Sequence, residues 1–249
     1  MNTDLLRETE RLDDLLTHDL KIIQSDEVFS FSLDAVLLAR FSSVPKHGKV
    51  LDLCTGNGVI PLLLSTRTKA AIDGVEIQER VHDMARRSVK LNGLEEQIRI
   101  IRGDLREYHQ MAGYESYDAI TVNPPYMPLR TGDLKVNEYQ ALARHEIACT
   151  LEDVILACKR LIRTGGKVAM VHRPSRLGEI VSLMRRHRLE PKRIRFVHPR
   201  IDMEANMVLI EALRDGKPDI RLLPPLIVYN ERNEYCEELM QVYYGAREG

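Results

Sequence analysis

The sequence predicts an α/β protein built on a doubly wound, mostly parallel seven-stranded sheet with helices on both faces and a short N-terminal extension. Three observations lead there. Short apolar runs alternate with amphipathic stretches of helical period from Val50 to Ala212, as in a chain of β-α-β units. The first run, Val50-Leu51-Asp52-Leu53, enters a glycine loop, Cys54-Thr55-Gly56-Asn57-Gly58, and then a helix that carries Pro61 in its first turn. Successive strands also end on polar residues, Glu76, Asp104 and Asn123. Ligands of open parallel sheets bind over those ends.

The chain of 249 residues is long enough for one large domain with a substantial core. Residues 1–40 are expected to form the extension, a helix followed by a hairpin and a helix that pack on the core, and residues 41–249 the domain that carries the site. An apolar content of 44% and a charged content of 29% are those of an ordinary globular protein. The formal net charge of -1 argues against a protein held to nucleic acid by its overall field, while leaving room for a local basic face. The four cysteines, Cys54, Cys149, Cys158 and Cys236, form no Cys-x-x-Cys pair and have no histidine at metal-ligand spacing. A zinc site is not expected, and a reduced, cytoplasmic setting is. No apolar stretch approaches the length of a membrane span.

Along the chain, Leu5, Leu6, Leu12, Leu15 and Leu16 fall at roughly helical spacing and predict an N-terminal helix. Lys21-Ile22-Ile23-Gln24 is a short strand, and Leu33 to Ala39 an apolar helix whose start holds Ser32 and Asp34. Asp34 suits a helix cap there, or a ligand contact. The glycine loop departs from the dinucleotide fingerprint: Pro61 takes the place of its third glycine, and Asp52 lies inside the preceding strand. A carboxylate facing the crevice repels a pyrophosphate but suits a ligand with an ammonium and a sulfonium, such as S-adenosylmethionine.

The second strand, Ala70 to Ile77, ends on Glu76 about twenty residues past the loop, where an acid accepts hydrogen bonds from ribose hydroxyls. Gln78 to Leu91 is an amphipathic helix stopped by Asn92-Gly93, and Ile98 to Asp104 the third strand. Asp104 at its tip either meets the adenine amino group of such a ligand or caps the next turn. The fourth strand, Tyr117 to Val122, delivers Asn123-Pro124-Pro125-Tyr126. Two consecutive prolines remove two backbone donors and fix the chain, leaving carbonyls free to accept beside the Asn123 side chain, and Tyr126 adds a π face. Acceptors next to a stacking ring suit a planar amine.

Met127 to Ala143 is polar and irregular, of the kind that lies over a site. Arg144-His145-Glu146 either opens a salt-bridged helix or contacts phosphate. A helix from Leu151 to Ile162, a strand from Lys167 to His172, a helix from Ser175 to His187 and strands Ile194–Val197 and Met207–Ala212 follow. The last is a late hairpin partner. Pro224-Pro225 leads to a final apolar piece and a polar C-terminal helix. Arg185, Arg186, Arg188, Lys192, Arg193, Arg195 and Arg200 gather with Glu190 as the acid among them. They form a solvated helix face and strand edge, or a phosphate-binding patch that suits RNA.

Taken together, these residues resemble the class I S-adenosylmethionine-dependent methyltransferases, and within them the bacterial family that methylates N6 of the adenine beside the anticodon of valine tRNA. Asp52-Leu53-Cys54-Thr55-Gly56-Asn57-Gly58 resembles the cofactor motif of the class, and Asn123-Pro124-Pro125-Tyr126 its amine-methylating signature. Phe31 to Leu38, Arg144-His145-Glu146, His172-Arg173-Pro174 and Phe196 to Arg200 resemble elements of the tRNA branch. The resemblance implies that Asp52, Thr55, Gly56 and Gly58 hold the methionine part of the cofactor, Glu76 the ribose and Asp104 the adenine, with Asp34 and Asn123 also on the cofactor side. Asn123, Pro124, Pro125 and Tyr126 are then the catalytic set, with no metal. Arg144, His145, Arg185, Arg186, Arg193, Arg195 and Arg200 are candidate RNA contacts.

Rival readings remain at this point. The same signature methylates a glutamine amide in release factors, by enzymes that usually carry a separate helical N-terminal domain, or other nucleobase amines. A nicotinamide-dependent dehydrogenase accounts for the glycine loop and Glu76 but gives Asp52 and the prolines no purpose. A non-catalytic RNA-binding module has no reason to keep the Asn123 acceptors.

Overall fold

The computed structural model describes residues 5–28, 32–125 and 149–244. In chain order it holds β1 (Glu10–Asp14), β2 (Lys21–Ser25), α1 (Leu33–Phe41), β3 (Lys49–Leu53), α2 (Val59–Ser65), β4 (Ala71–Glu76) and α3 (Glu79–Leu91). These are followed by β5 (Ile98–Arg102), α4 (Tyr108–Ala112), β6 (Tyr117–Val122), α5 (Leu151–Leu161), β7 (Ile162–His172), α6 (Leu177–Arg186) and β8 (Leu189–His198). Last come β9 (Met207–Arg214), the two-residue strands β10 (Arg221–Leu222) and β11 (Leu226–Ile227), and α7 (Glu237–Tyr244).

The main sheet runs β10-β8-β9-β7-β6-β3-β4-β5, with β11 also on β8. Strands β5, β4, β3, β6 and β7 are mutually parallel, and β9 is antiparallel to both β7 and β8. The expected α/β sheet and its late hairpin partner are therefore present. Among the described residues this sheet has nine strands where seven were expected, because β10 and β11 add short parallel pieces along β8. The chain reverses its direction of growth between β3 and β6, so the crevice of the fold opens over their C-terminal ends.

Alternation along the strands builds two cores, one on each face. Val50, Ile72 and Ala119 join the helices α1 and α2 in one cluster, while Leu51, Val75 and Ile120 join α5 and α6 in the other. Helix α5 starts on a capping box, with Asp153 N–H donating to Thr150 Oγ1 at 3.2 Å and Thr150 N–H donating to Asp153 Oδ2 at 2.9 Å. Helix α3 ends at Asn92, and Gly93 takes the left-handed φ of 65° that a glycine accepts without strain. The Asn92 side chain also grips β2, accepting from Lys21 N–H at 2.9 Å and donating to Lys21 O at 2.7 Å.

The N-terminal segment corrects the sequence expectation. Glu10 to Asp14 is a strand paired antiparallel with Lys21 to Ser25, not part of a helix. Tertiary partners override the leucine spacing: the Glu10 carboxylate is buried against the Arg87 guanidinium of α3, Leu15 is buried, and Leu12 and Leu16 stay exposed. The C-terminal helix closes the opposite end of the chain onto α1. Arg40 Nε donates to Val242 O at 2.8 Å, and the Thr17 hydroxyl donates to Tyr243 O. Among the described residues no helix is long and apolar enough to cross a membrane.

Candidate active site

One cavity, with an empty volume of about 1060 Å³ open to solvent, lies over the C-terminal ends of β3, β4, β5 and β6. An open crevice over these strand ends is where doubly wound sheets bind their ligands. Its walls include Asp34, Thr55, Gly56, Glu76, Asp104 and Asn123, all expected from the sequence. Pro124 and Pro125 line it as well. Tyr126, Arg144 and His145 lie outside the described residues.

The glycine loop owes its shape to backbone geometry. Cys54 takes a φ of 57°, Gly56 58° and Gly58 87°, so the chain curls through left-handed conformations that a side chain resists. A methyl group at Gly56 would meet nothing within 4 Å, because that residue faces the cavity, whereas one at Gly58 would press on Ala85 Cβ of α3 at 3.3 Å. Glu76 fixes the loop from the next strand. Its Oε2 accepts Gly56 N–H at 2.9 Å and its Oε1 accepts Gln78 N–H at 2.9 Å. Burial pushes its carboxyl above the usual range, and those backbone donors oppose the shift.

Asp34 sits in the first turn of α1, where Ser32 and not Asp34 holds the N-cap position. It lines the cavity, and its Oδ1 accepts from Ser32 Oγ at 2.6 Å and Ala35 N–H at 2.8 Å at the start of α1. Asp104 likewise lines the cavity and organises the turn after β5. Its Oδ1 accepts Arg106 N–H at 2.9 Å and Nε–H at 3.0 Å, and the Arg106 guanidinium holds its carboxyl below the usual range. Asn123, Pro124 and Pro125 close the opposite wall from the tip of β6.

Asp52 departs from the expectation. Its side chain is fully buried and is not part of the cavity wall. The carboxyl lies within the sheet, where Thr121 Oγ1 donates to its Oδ1 at 2.6 Å. Burial pushes it up to about 7. Its Oδ2 and the Thr55 hydroxyl oxygen are both buried without any other partner, and the Thr55 hydroxyl favours the Asp52 anion. Gly58, likewise expected as a cofactor contact, supports the loop against α3 and is not part of the wall.

The basic run is dispersed. Arg185 and Arg186 end α6, ahead of β8, while Arg200 follows the other end of that strand. Ten residues of β8 separate them, roughly 30 Å of extended chain at about 3.3 Å per residue. Their guanidinium groups are also engaged: Arg185 with Glu190 at 2.9 Å, Arg186 with Glu152 at 3.3 Å, and Arg200 with Asn233 Oδ1 at 2.9 Å. Arg195 pairs with Glu238. Arg193 turns inward to Glu211 at 3.0 Å and lies 4.7 Å from the Phe41 ring centroid. These arginines are therefore spread along β8 and paired with acids, not gathered in one compact cluster.

Residues missed from the sequence include Cys149, Gln78 and the apolar wall of Ile60, Ile77, Val81 and Leu105. Such a wall suits the faces of a heterocycle. Burial pushes the Cys54 thiol, another wall residue, well up and keeps it protonated. Among the described residues, no group of three or more His, Cys, Asp or Glu side chains is placed to hold a metal ion.

Comparison with known proteins sets this geometry in context. A protein of Parabacteroides distasonis named tRNA1(Val) (adenine(37)-N6)-methyltransferase is 30% identical over 213 residues, covering 84% of this chain and 86% of its own. Its namesake from Aeromonas salmonicida is 31% identical over 179 residues, 71% of this chain and 73% of its own. In fold, the chain is similar to the crystal structure of a predicted O-methyltransferase from Agrobacterium tumefaciens, with a TM-score of 0.68, 22% identity, and coverage of 85% of this chain and 95% of that one. The family model for the methyltransferase small domain matches residues 19–185, from the hairpin through the cofactor loop and the Asn123 strand end to α6. The chain belongs to the methyltransferase small domain family.

Proposed function

We propose that this protein is an S-adenosylmethionine-dependent methyltransferase that acts on the exocyclic N6 amine of an adenine in RNA, the adenine next to the anticodon of tRNA(Val). The observation that carries the reading is the meeting of two walls in one cavity. The glycine loop with Glu76 stands on one side, and Asn123-Pro124-Pro125 at the tip of β6 on the other. The relatives whose names specify tRNA1(Val) adenine-N6 methylation, aligned over most of the chain, supply the acceptor. A tRNA acceptor also implies a cytoplasmic place of action.

The residues fit that cofactor. Gly56 leaves open space where a side chain would project, and the buried carboxylate of Glu76 keeps acceptor capacity beside it for ribose hydroxyls. Asp104 stands at the far strand end for the adenine amino group, and the apolar wall encloses the ring. When bound, the cofactor supplies an electrophilic methyl on a sulfonium. The protein positions the acceptor in line with it. The Asn123 side-chain oxygen and the Pro124 carbonyl accept the two amino hydrogens, which turns the nitrogen lone pair out of ring conjugation, and Tyr126 stacks on the extruded base. Asn-Pro-Pro-Tyr acts here as an amine-methylating signature, and catalysis consists of orientation and desolvation.

The test is transfer of labelled methyl from S-adenosylmethionine to total tRNA of a strain lacking this protein, followed by nucleoside digestion and mass identification. Label in N6-methyladenosine of tRNA(Val) is the expected result. Label appearing instead in a release-factor glutamine, with none in RNA, would overturn the acceptor while leaving the cofactor in place.

A further inference from the structure

Asp52 and Thr121 face each other at the middle of the sheet as Cα partners in the β3–β6 ladder, and neither exposes any surface. The Thr121 hydroxyl donates to Asp52 Oδ1 at 2.6 Å. On the other flank of Asp52 the ladder partner is Gly74 of β4, which offers no side chain. Two residues past Asp52 the cofactor loop begins at Cys54, and two residues past Thr121 stands Asn123. A side-chain hydrogen bond thus adds to the ladder between the strand that carries the cofactor loop and the strand that carries the acceptor wall. Neither side chain forms part of the cavity wall, and the mechanism above uses neither.

A carboxyl in this setting is poised between two states. Burial favours the neutral acid, as does the Glu76 carboxylate that faces it from β4. A hydroxyl donor favours the anion, and Thr121 provides one. The remaining titratable group facing Asp52 across the loop, the Cys54 thiol, is held neutral by burial. The Thr55 hydroxyl, in the cofactor loop itself, is a second neighbour that favours the anion. A buried anion in low dielectric acts on a nearby cation with little screening.

We propose that Thr121 is a positioning residue that holds the Asp52 carboxylate beneath the cofactor loop, where its charge favours the cationic sulfonium cofactor over the neutral thioether left after transfer. The inference rests on the cofactor and not on the identity of the acceptor. S-Adenosylmethionine carries one positive charge more than S-adenosylhomocysteine. A fixed anion therefore binds the first better than the second, and transfer of the methyl removes part of what held the ligand. Product release is favoured at the step that creates the product.

The experiment is calorimetric titration of the full-length protein, without any acceptor, with each of the two ligands between pH 6 and pH 8. Wild type is compared with Thr121→Val, Thr121→Ser and Asp52→Asn. In wild type the preference for the sulfonium ligand grows with pH, relative to Asp52→Asn as the background that cancels the titration of the ligands themselves. Thr121→Val, nearly isosteric, loses roughly tenfold of that preference near neutral pH, the factor equivalent to one pKa unit, and Thr121→Ser restores it. Thermal melting shows that each variant is folded. Should Thr121→Val fail to fold, Asp52→Asn decides alone. Equal preference and equal pH dependence in Asp52→Asn and wild type would overturn the proposal, as would a Thr121→Val protein that keeps the wild-type ratio. Failure of the RNA assignment would leave these titrations unchanged.

Discussion

Glu76 Oε2 accepts the N–H of Gly56 at 2.9 Å, so the acid expected to meet ribose is also the brace of the loop that receives the cofactor. Its second oxygen takes Gln78 N–H at 2.9 Å. Glu76→Gln replaces one acceptor with a donor that faces an N–H. Hydrogen bonds to charged groups contribute about 1.5–3 kcal/mol, so affinity for S-adenosylmethionine should fall roughly tenfold to a hundredfold. Calorimetric titration measures it, and an unchanged affinity would remove Glu76 from the site.

Asn123 separates binding from chemistry. Its truncation to alanine removes an oriented acceptor for the amine and leaves the glycine loop, Glu76 and Asp104 intact. Methyl transfer in a single turnover should drop by about 10²–10³, the range for removal of one preorganised polar group. Cofactor affinity should stay near wild type. Parallel loss of both would show that Asn123 only shapes the pocket.

The two loop glycines should respond differently to alanine. At Gly58 the φ of 87° and the Ala85 methyl at 3.3 Å act together, so Gly58→Ala should cost about 2 kcal/mol or more of stability, from left-handed strain of about 1–2 kcal/mol plus the contact. Gly56→Ala meets no atom within 4 Å. It should cost about 1 kcal/mol by strain alone and weaken cofactor binding, because the methyl occupies the cavity. Urea denaturation beside ligand titration distinguishes them; equal stability loss would contradict this account.

Asp52 gives the fold a pH signature. Its carboxyl rises from the usual 3.8 to about 7 on burial, so between those values the folded protein binds more protons than the unfolded chain. Stability therefore falls as pH rises from about 4 to 7, by up to about 4 kcal/mol from this group. Relative to Asp52→Asn, wild type should lose stability across that window and run parallel to it above. Denaturant midpoints at pH 5 and pH 8 provide the comparison, and a constant difference would refute the burial argument.

Sheet and cavity were legible because each signal was local. A strand followed by Gly56-x-Gly58, an acid at the end of the next strand, and paired prolines after the fourth all depend on short-range spacing. Failures came where partners distant in sequence decide. The leucines before Lys21 have helical spacing, yet Glu10 pairs with Arg87 and the segment joins a ladder. Asp52 looked like a cavity wall because strand periodicity alone does not tell a side chain under a loop from one beyond it. The arginines from Arg185 to Arg200 looked like a patch because a ten-residue strand is compact in sequence and long in space. Their partners Glu152, Glu211 and Glu238 come from elsewhere in the chain.

The last helix, tied to α1 through Val242 and to the β1–β2 turn through Tyr243, sets a schedule for synthesis. Helix α1 supplies Asp34 to the cofactor cavity, but its outer side is fastened by residues near the end of the chain. At about 5–20 residues per second, on the order of ten to thirty seconds pass between translation of the glycine loop and translation of the helix that fastens α1. During that interval the nascent chain carries a cofactor loop without a finished pocket. The wall at Asp34 is thus fastened later than the glycine loop is made.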